Sequence, residues 1–296
     1  MEVFVSETGF CWGIDLAYQR IANLAGQGGP LKATHRGGAD AHWDTVQRIA
    51  HDPDLVARYP ALAGVTVNDD LDFMGAGDVA AIGHQGIDRK KIDAAKARGV
   101  VVNDHKCPFI AKFDKSVDAL IKDGHDVIAF GKPKNHHCQY AREAAQEAGR
   151  ACVIAEDLAD IEAELKTPGR NWAAVGQVTG NVGVWEKFKR GLETLGVPVR
   201  VVDTVCTDSH SRQAEAAALA ARVDAVVVVD DGGGATVSVF ETVSAVNPKS
   251  FRYDPRLPLP VKQLKGVRSV AVVCGILVPK WILDRVADDI RKLPAA

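Results

Sequence analysis

The sequence predicts an α/β fold made of three copies of one unit, each a small parallel sheet with helices, set about a pseudo-threefold axis. Three observations predict it. Cys11, Cys107 and Cys206 stand 96 and 99 residues apart in a chain of 296, and self-similarity at a fixed period marks repeated supersecondary units. Each cysteine follows a short apolar run and precedes a helical pattern. Each third carries four strand-like runs rich in Val and Ala, the composition of strands buried on both faces of a parallel sheet.

The elements follow in order. In the first third the runs are VFVS (3–6), LKATH (31–35), GVTVN (64–68) and DVAAIG (78–83). The middle third offers VVVN (100–103), DVIAFG (126–131), ACVIA (151–155) and WAAVGQ (172–177), and the last third VRVVD (199–203), DAVVVVD (224–230), SFRYD (250–254) and SVAVVCG (269–275). Each is bounded by turn residues or an amphipathic stretch. After Cys107, residues Phe109, Ile110, Phe113, Val117, Leu120 and Ile121 fall on one helical face. After Cys206, Asp208 and Ser209 are the expected N-caps of an Ala-rich helix running to about Arg222. Boundaries are expected just before the second and third cysteine strands, giving units 1–98, 99–196 and 197–296. Pro255, Pro258 and Pro260 make 254–266 an irregular connection inside the last unit.

Composition excludes several classes. Hydrophobic residues make up 47% and charged residues 25%, an ordinary globular mixture. A net charge of −2 leaves no basic excess for nucleic acid or a membrane surface. No leader pattern opens the chain and no apolar run reaches membrane-spanning length, so the protein is expected in the cytoplasm. Six irregularly spaced cysteines without a CxxC do not form a disulfide framework. The oligomeric state is not legible.

Three units about one axis would bring three strand ends, and so three thiols, to one point. A thiolate at a helix start is stabilised by exposed N–H groups and the helix dipole. Three cysteines on a four-iron cube leave one iron without a protein ligand, able to take a substrate oxygen as a Lewis acid. Spacing alone favours the other reading, three buried cysteines acting as small apolar side chains.

Local motifs add what spacing does not. GFCWGID at 9–15, HKCPFIAK at 105–112 and CTDSHSRQ at 206–213 resemble the cysteine motifs of the LytB/IspH family, which contains 4-hydroxy-3-methylbut-2-enyl diphosphate reductase, the last enzyme of the non-mevalonate isoprenoid pathway. The resemblance spans about residues 1–290. It implies a trefoil of three α/β units around a [4Fe-4S] cluster held by Cys11, Cys107 and Cys206. It also implies a small-molecule substrate and an electron donor of the ferredoxin or flavodoxin type.

In the substrate shell the chain departs from that family. The family's His-Gly pair before the second cysteine strand matches Gln85-Gly86, with His84 one place away. Its His-Pro-Glu segment, source of a diphosphate-binding histidine and the proton-delivering glutamate, matches Asn135-His136-His137. Gln-Thr-Thr becomes Gln177-Val178-Thr179, the Ser-Ser-Asn phosphate-binding trio falls on Gly234-Ala235-Thr236, and the serine before Ala-Pro becomes Leu277. The remaining family histidine corresponds to His42 or, less well, His35. The resemblance thus implies a substrate shell of His42, His84, Gln85, Asn135, Gln177, Thr179, Gly234 and Thr236, with His137 in the acid's place.

These departures share a direction. Burying a diphosphate requires several charge-assisted donors, and here about five hydroxyl or imidazole donors give way to groups such as Gly, Ala, Val and Leu. The Gly232–Gly234 run after a strand offers backbone N–H groups to an anion, but Asp230 and Asp231 flank it, and a flexible turn is the favoured reading. Lys132, Lys134 and His136 offer charges for a carboxylate or phenolate, although solvated loop charges are the commoner outcome. Trp12 reads as pocket lining or as packing. Cys138, Cys152 and Cys274 stand outside the one-third register.

The expectation is a [4Fe-4S] reductase that removes an allylic or benzylic hydroxyl, with His137 as proton donor. Three alternatives stay open. They are the orthodox diphosphate reductase with divergent anchoring, a non-redox [4Fe-4S] hydro-lyase, and a non-catalytic iron–sulfur sensor or scaffold.

Overall fold

The computed structural model describes residues 1–34, 46, 48, 49, 52–68 and 70–293. Chain order runs β1 (Glu2–Val5), α1 (Trp12–Gly26), β2 (Leu31–Thr34), α2 (Pro53–Arg58), β3 (Val65–Asn68), β4 (Val79–Ile82), α3 (Arg89–Ala97) and β5 (Val101–Asp104). It continues through α4 (Pro108–Lys122), β6 (Asp126–Phe130), α5 (His136–Glu147), β7 (Cys152–Ala155), α6 (Glu162–Leu165), β8 (Trp172–Gly176), α7 (Val182–Thr194) and β9 (Arg200–Val202). The last part is α8 (Thr207–Ala220), β10 (Ala225–Val229), α9 (Gly234–Val246), β11 (Ser250–Tyr253), β12 (Ser269–Cys274) and α10 (Lys280–Arg291).

Among the described residues all twelve strands fall on the expected apolar runs. They form three four-stranded sheets, ordered β3-β2-β4-β5, β7-β6-β8-β9 and β11-β10-β12-β1. Every pairing is parallel. The interior strands β6, β8 and β10 are buried along their whole length, because helices cover both faces of a parallel sheet.

The cysteine strands pair backward along the chain. Divisions at 98 and 196 put each cysteine strand at the start of its own unit. Instead β5 pairs with β4, β9 with β8, and β1 with β12. Each cysteine strand is therefore the edge strand of the preceding sheet, and the N-terminal strand closes the ring by completing the last one. The pattern behind this is exposure: β1, β5 and β9 are half-exposed, as edge strands are, so their apolar runs do not declare which sheet they join.

The helix after each cysteine belongs to the next sheet. α1 packs on β2, α4 on β6 and β8, and α8 on β12. Each cysteine therefore sits where the chain leaves one unit for the next. On α4, Ile110, Phe113, Val117 and Leu120 are buried as the periodicity requires. α8 ends at Ala220, and its N-cap is Cys206 itself rather than Asp208 or Ser209.

The second unit is anchored by Trp185 of α7, whose ring lies 5.6 Å from that of Phe130 and 5.8 Å from that of Phe188. Trp185→Ala removes a fully buried indole and is expected to cost about 3–5 kcal/mol, read as a lowered urea midpoint at unchanged m-value.

Candidate functional site

Cys11, Cys107 and Cys206 are the N-caps of α1, α4 and α8. One hydrogen bond recurs at all three. The N–H of Cys11 donates to Ile276 O (3.2 Å), that of Cys107 to His84 O (2.8 Å) and that of Cys206 to Val178 O (2.8 Å). Each acceptor stands two residues past the strand beside the cysteine strand: β12, β4 and β8. This repetition sets three buried thiols at equivalent places around the axis.

Burial raises the pKa of each thiol, that of Cys11 to about 12, while N–H groups of the following turn pull it back. Cys11 and Cys206 each sense the charge of Cys107, and all three sense the Asp208 carboxylate. A Cβ added at Gly13 would stand 2.5 Å from Cys107 Sγ and 3.9 Å from Cys11 Sγ, so this glycine leaves space for two sulfurs at once. A Cβ at Gly9 would stand 2.1 Å from the backbone nitrogen of Lys280; only glycine lets the Cys11 loop pass so close to the start of α10. Both motif glycines thus have a steric cause.

The motif pair Arg212-Gln213 braces the third unit against the other parts of the site, a role that sequence reasoning missed. Arg212 Nη1 donates to Thr8 O in the loop leading to Cys11 (3.2 Å), and Gln213 Nε2 donates to Gly180 O (2.9 Å). Gln213 Oε1 accepts from Val182 N at the start of α7 (3.0 Å). The available signal was two large polar residues among the alanines on the buried face of α8.

The candidate substrate shell falls into two groups. In the first, Gln177 Oε1 accepts from Lys132 N (3.0 Å), bracing the ends of β8 and β6, and its Nε2 faces Gly234. Ser238 Oγ donates to Thr179 O (3.0 Å). Thr236 Oγ1 donates to Asp231 Oδ1 (2.6 Å). The same carboxylate accepts from Gly233 N (2.7 Å) and, through Oδ2, from Leu277 N (3.2 Å). Asp230 Oδ1 accepts from Gly232 N (2.9 Å). Two N–H groups of the glycine run, those of Gly232 and Gly233, are therefore held by its own carboxylates. Asp231 is almost fully buried, which pushes its carboxyl pKa up against those three donors. Leu277 packs into the same apolar cluster as Cys11 and Ile14.

In the second group, Gln85 and His137 line a cleft of about 1070 Å³ between α3, α4 and α5, with Lys106, Ile110, His136 and Tyr140 among its walls. Ile110 stands one turn past Cys107. Asn135 is the N-cap of α5, and its Oδ1 accepts from His137 N (2.9 Å), which commits that oxygen to the helix. His137 is buried rather than exposed, with its ring 5.4 Å from that of Phe113 and 4.0 Å from that of His136. Burial pulls His84 down to about 3, with the charge of His136 adding to the effect, so at neutral pH it carries no positive charge.

Lys132 forms an ion pair with Glu241 (3.1 Å). Trp12 is 53% exposed, edge-on to Phe109 at 6.2 Å. Cys138 and Cys274 are buried and Cys152 half-buried. His42 and His35 lie outside the described residues. Among the described residues no helix is long and apolar enough to cross a membrane.

Comparison with known proteins agrees with this architecture. The profile of the family described as LytB protein matches residues 3–291. A 4-hydroxy-3-methylbut-2-enyl diphosphate reductase of Anaeromyxobacter sp. (strain K) is 28% identical over 99% of this chain and 100% of its own length. One from Geobacter sulfurreducens is also 28% identical, over 98% of this chain and 96% of its own. Among solved structures, an E-1-hydroxy-2-methyl-but-2-enyl-4-diphosphate reductase from Plasmodium falciparum superposes with a TM-score of 0.80 at 16% identity, covering 99% of this chain and 89% of that one. An (E)-4-hydroxy-3-methyl-but-2-enyl diphosphate reductase superposes with a TM-score of 0.60 at 23% identity, covering 99% and 100%. At these identities the superpositions establish the shared fold.

Asp231→Ala leaves three donors without their acceptor, and each stranded buried donor costs about 1–3 kcal/mol. The variant is expected to unfold at a markedly lower urea concentration, with Thr236→Val, which removes one donor and its bond together, losing less. Equal losses would show that the carboxylate is not the hub of this loop.

Proposed function

The chain belongs to the LytB protein family, and on that premise we propose that it is an iron–sulfur reductase. Its substrate in this reading is an allylic or benzylic alcohol carrying less negative charge than a diphosphate ester. The reaction takes two electrons and two protons: the C–O bond breaks, a C–H bond forms, and the hydroxyl leaves as water. A ferredoxin- or flavodoxin-type donor supplies the electrons.

The residues present fit the cofactor this reaction needs. Among the described residues no three or more His, Cys, Asp or Glu side chains close around a point as for one metal ion. Cys11 and Cys206 each sense the charge of Cys107, and the space that Gly13 leaves for two sulfurs suits a cluster whose thiolates bind different irons. Bound by Cys11, Cys107 and Cys206, a [4Fe-4S] cluster would supply one-electron steps and an iron free of protein ligands. The helix N-termini of α1, α4 and α8 oppose the charge of the three thiolates.

The observation that carries the substrate assignment is Asp231. Where the family resemblance places phosphate-binding hydroxyls, this chain holds a buried carboxylate bonded to Gly233 N–H, Leu277 N–H and Thr236 O–H. A carboxyl group that already accepts from these donors leaves them unavailable to an external anion. His84 stays neutral and Lys132 is paired, so neither adds a free positive charge. In this reading Leu277 gives the Cys11 side an apolar wall, Gln177 and Gly234 face each other across the unit junction, and a ring nitrogen of His137 holds the proton to be delivered.

The names of the curated relatives favour a second reading, reduction of 4-hydroxy-3-methylbut-2-enyl diphosphate itself. Anaerobic assays of cluster-loaded protein with reduced methyl viologen separate the two. Neutral allylic or benzylic alcohols are expected to turn over at least about tenfold faster than the diphosphate; the reverse preference would establish the second reading. The triple Cys→Ala variant is expected to lose both visible absorbance and turnover. Inorganic diphosphate is expected to leave the Tm of the parent unchanged while raising that of Asp231→Ala, because the variant opens the cradle.

A further inference from the structure

Three helices begin at the three cysteines, and their equivalent positions can be compared directly. Two residues after each cysteine stand Gly13, Phe109 and Asp208; six residues after stand Ala17, Phe113 and Arg212. Only the third helix carries charge there. Ala17 and Phe113 are fully buried, and Arg212 is nearly so, with its side chain 3% exposed.

The pair is held without satisfying itself. Arg212 Nη2 lies 3.5 Å from Asp208 Oδ2, beyond a good charge-assisted bond. Among the described residues, Nε and Nη2 of Arg212 and Oδ2 of Asp208 are buried atoms with no hydrogen-bond partner. The remaining nitrogen, Nη1, reaches Thr8 O at 3.2 Å and stands 3.7 Å from Cys274 Sγ. A guanidinium is always charged, and burying it with half its donors unmet is costly. The other two helices show that an apolar residue fits the position.

Its surroundings give the charge an effect. Asp208 stands in the first turn of the helix that Cys206 caps, and Arg212, one turn further on, bonds through Nη1 to Thr8 O, three residues before Cys11. Charges close to an iron–sulfur centre shift its reduction potential, since each added electron adds negative charge.

We propose that Asp208 and Arg212 are a potential-setting pair, with Asp208 lowering and Arg212 raising the potential of the cluster held by Cys11, Cys107 and Cys206. This rests on the iron–sulfur reading above. The step affected is one-electron reduction of the cluster by the external donor, which is itself oxidised by one electron; no bond is made or broken. Both residues act through the thiolates and are positioning residues, without contact with substrate.

The test is an EPR-monitored redox titration of the anaerobically reconstituted full chain, with iron and sulfide counted in every sample. Arg212→Gln is expected to lower the ratio of reduced to oxidised cluster at fixed potential about tenfold, a shift of about 59 mV for a one-electron couple. Asp208→Asn is expected to move the ratio the opposite way, and Arg212→Lys to stay within about threefold of the parent. A structural role alone would not give opposite signs. Loaded variants that keep the parental potential, or that both shift in one direction, overturn the inference and leave the reductase reading standing. A parent that retains no iron or sulfide overturns both. Where Arg212→Gln fails to hold the cluster, Asp208→Asn decides by itself: a raised potential supports the pair and an unchanged one refutes it.

Discussion

The structure depends on one crossing, made three times. The chain completes a parallel sheet with an edge strand, then starts a helix that packs on the next sheet, and a cysteine stands at the turn between them. Because a cysteine N–H bonds to a carbonyl two residues past the neighbouring strand at each crossing, the sulfurs cannot drift independently. The glycines of the first motif follow from the same crowding: Gly13 leaves room for the Cys107 sulfur and Gly9 for the backbone of α10.

The loops after β4, β8 and β12 carry the carbonyls that hold the three cysteine N–H groups, and parallel sheets present ligand contacts beyond their carboxyl ends at a switch in strand order. The order within each sheet places that switch between β2 and β4, β6 and β8, and β10 and β12. In the proposed reading, electrostatics separates this chain from a diphosphate-binding design. Polar groups that could meet an external anion are bonded internally: Thr236 to Asp231, the oxygen of Asn135 to its own helix, and Lys132 to Glu241. Leu277 belongs to the same apolar cluster as Cys11 and Ile14.

Much of the fold is legible in sequence. Val- and Ala-rich runs locate all twelve strands, because a doubly covered strand must be apolar throughout. The sheet that an edge strand joins is not legible in that way. VVND of β5 looks like the opening of the second unit, yet its hydrogen bonds go back to β4. The metal-ligand candidates are legible through their spacing and motifs. The roles of the polar shell are not, because they depend on closure over long separations: Asp231 acquires its meaning only when Leu277, 46 residues on, donates to it. Arg212 and Gln213 are visible as letters of a motif, but only the packing of α8 shows that one reaches the first loop and the other the second unit.

The central claim is that three thiolates from three crossings grip one cube and leave one of its irons without a protein ligand. A Mössbauer spectrum of the anaerobically reconstituted, iron-57-loaded chain tests this most directly. The account predicts three irons in thiolate-like surroundings and one distinct iron, whose signal alone moves when a small oxygen or nitrogen ligand is added. Four equivalent thiolate-bound irons, or a chain that takes up only isolated iron ions, would contradict it.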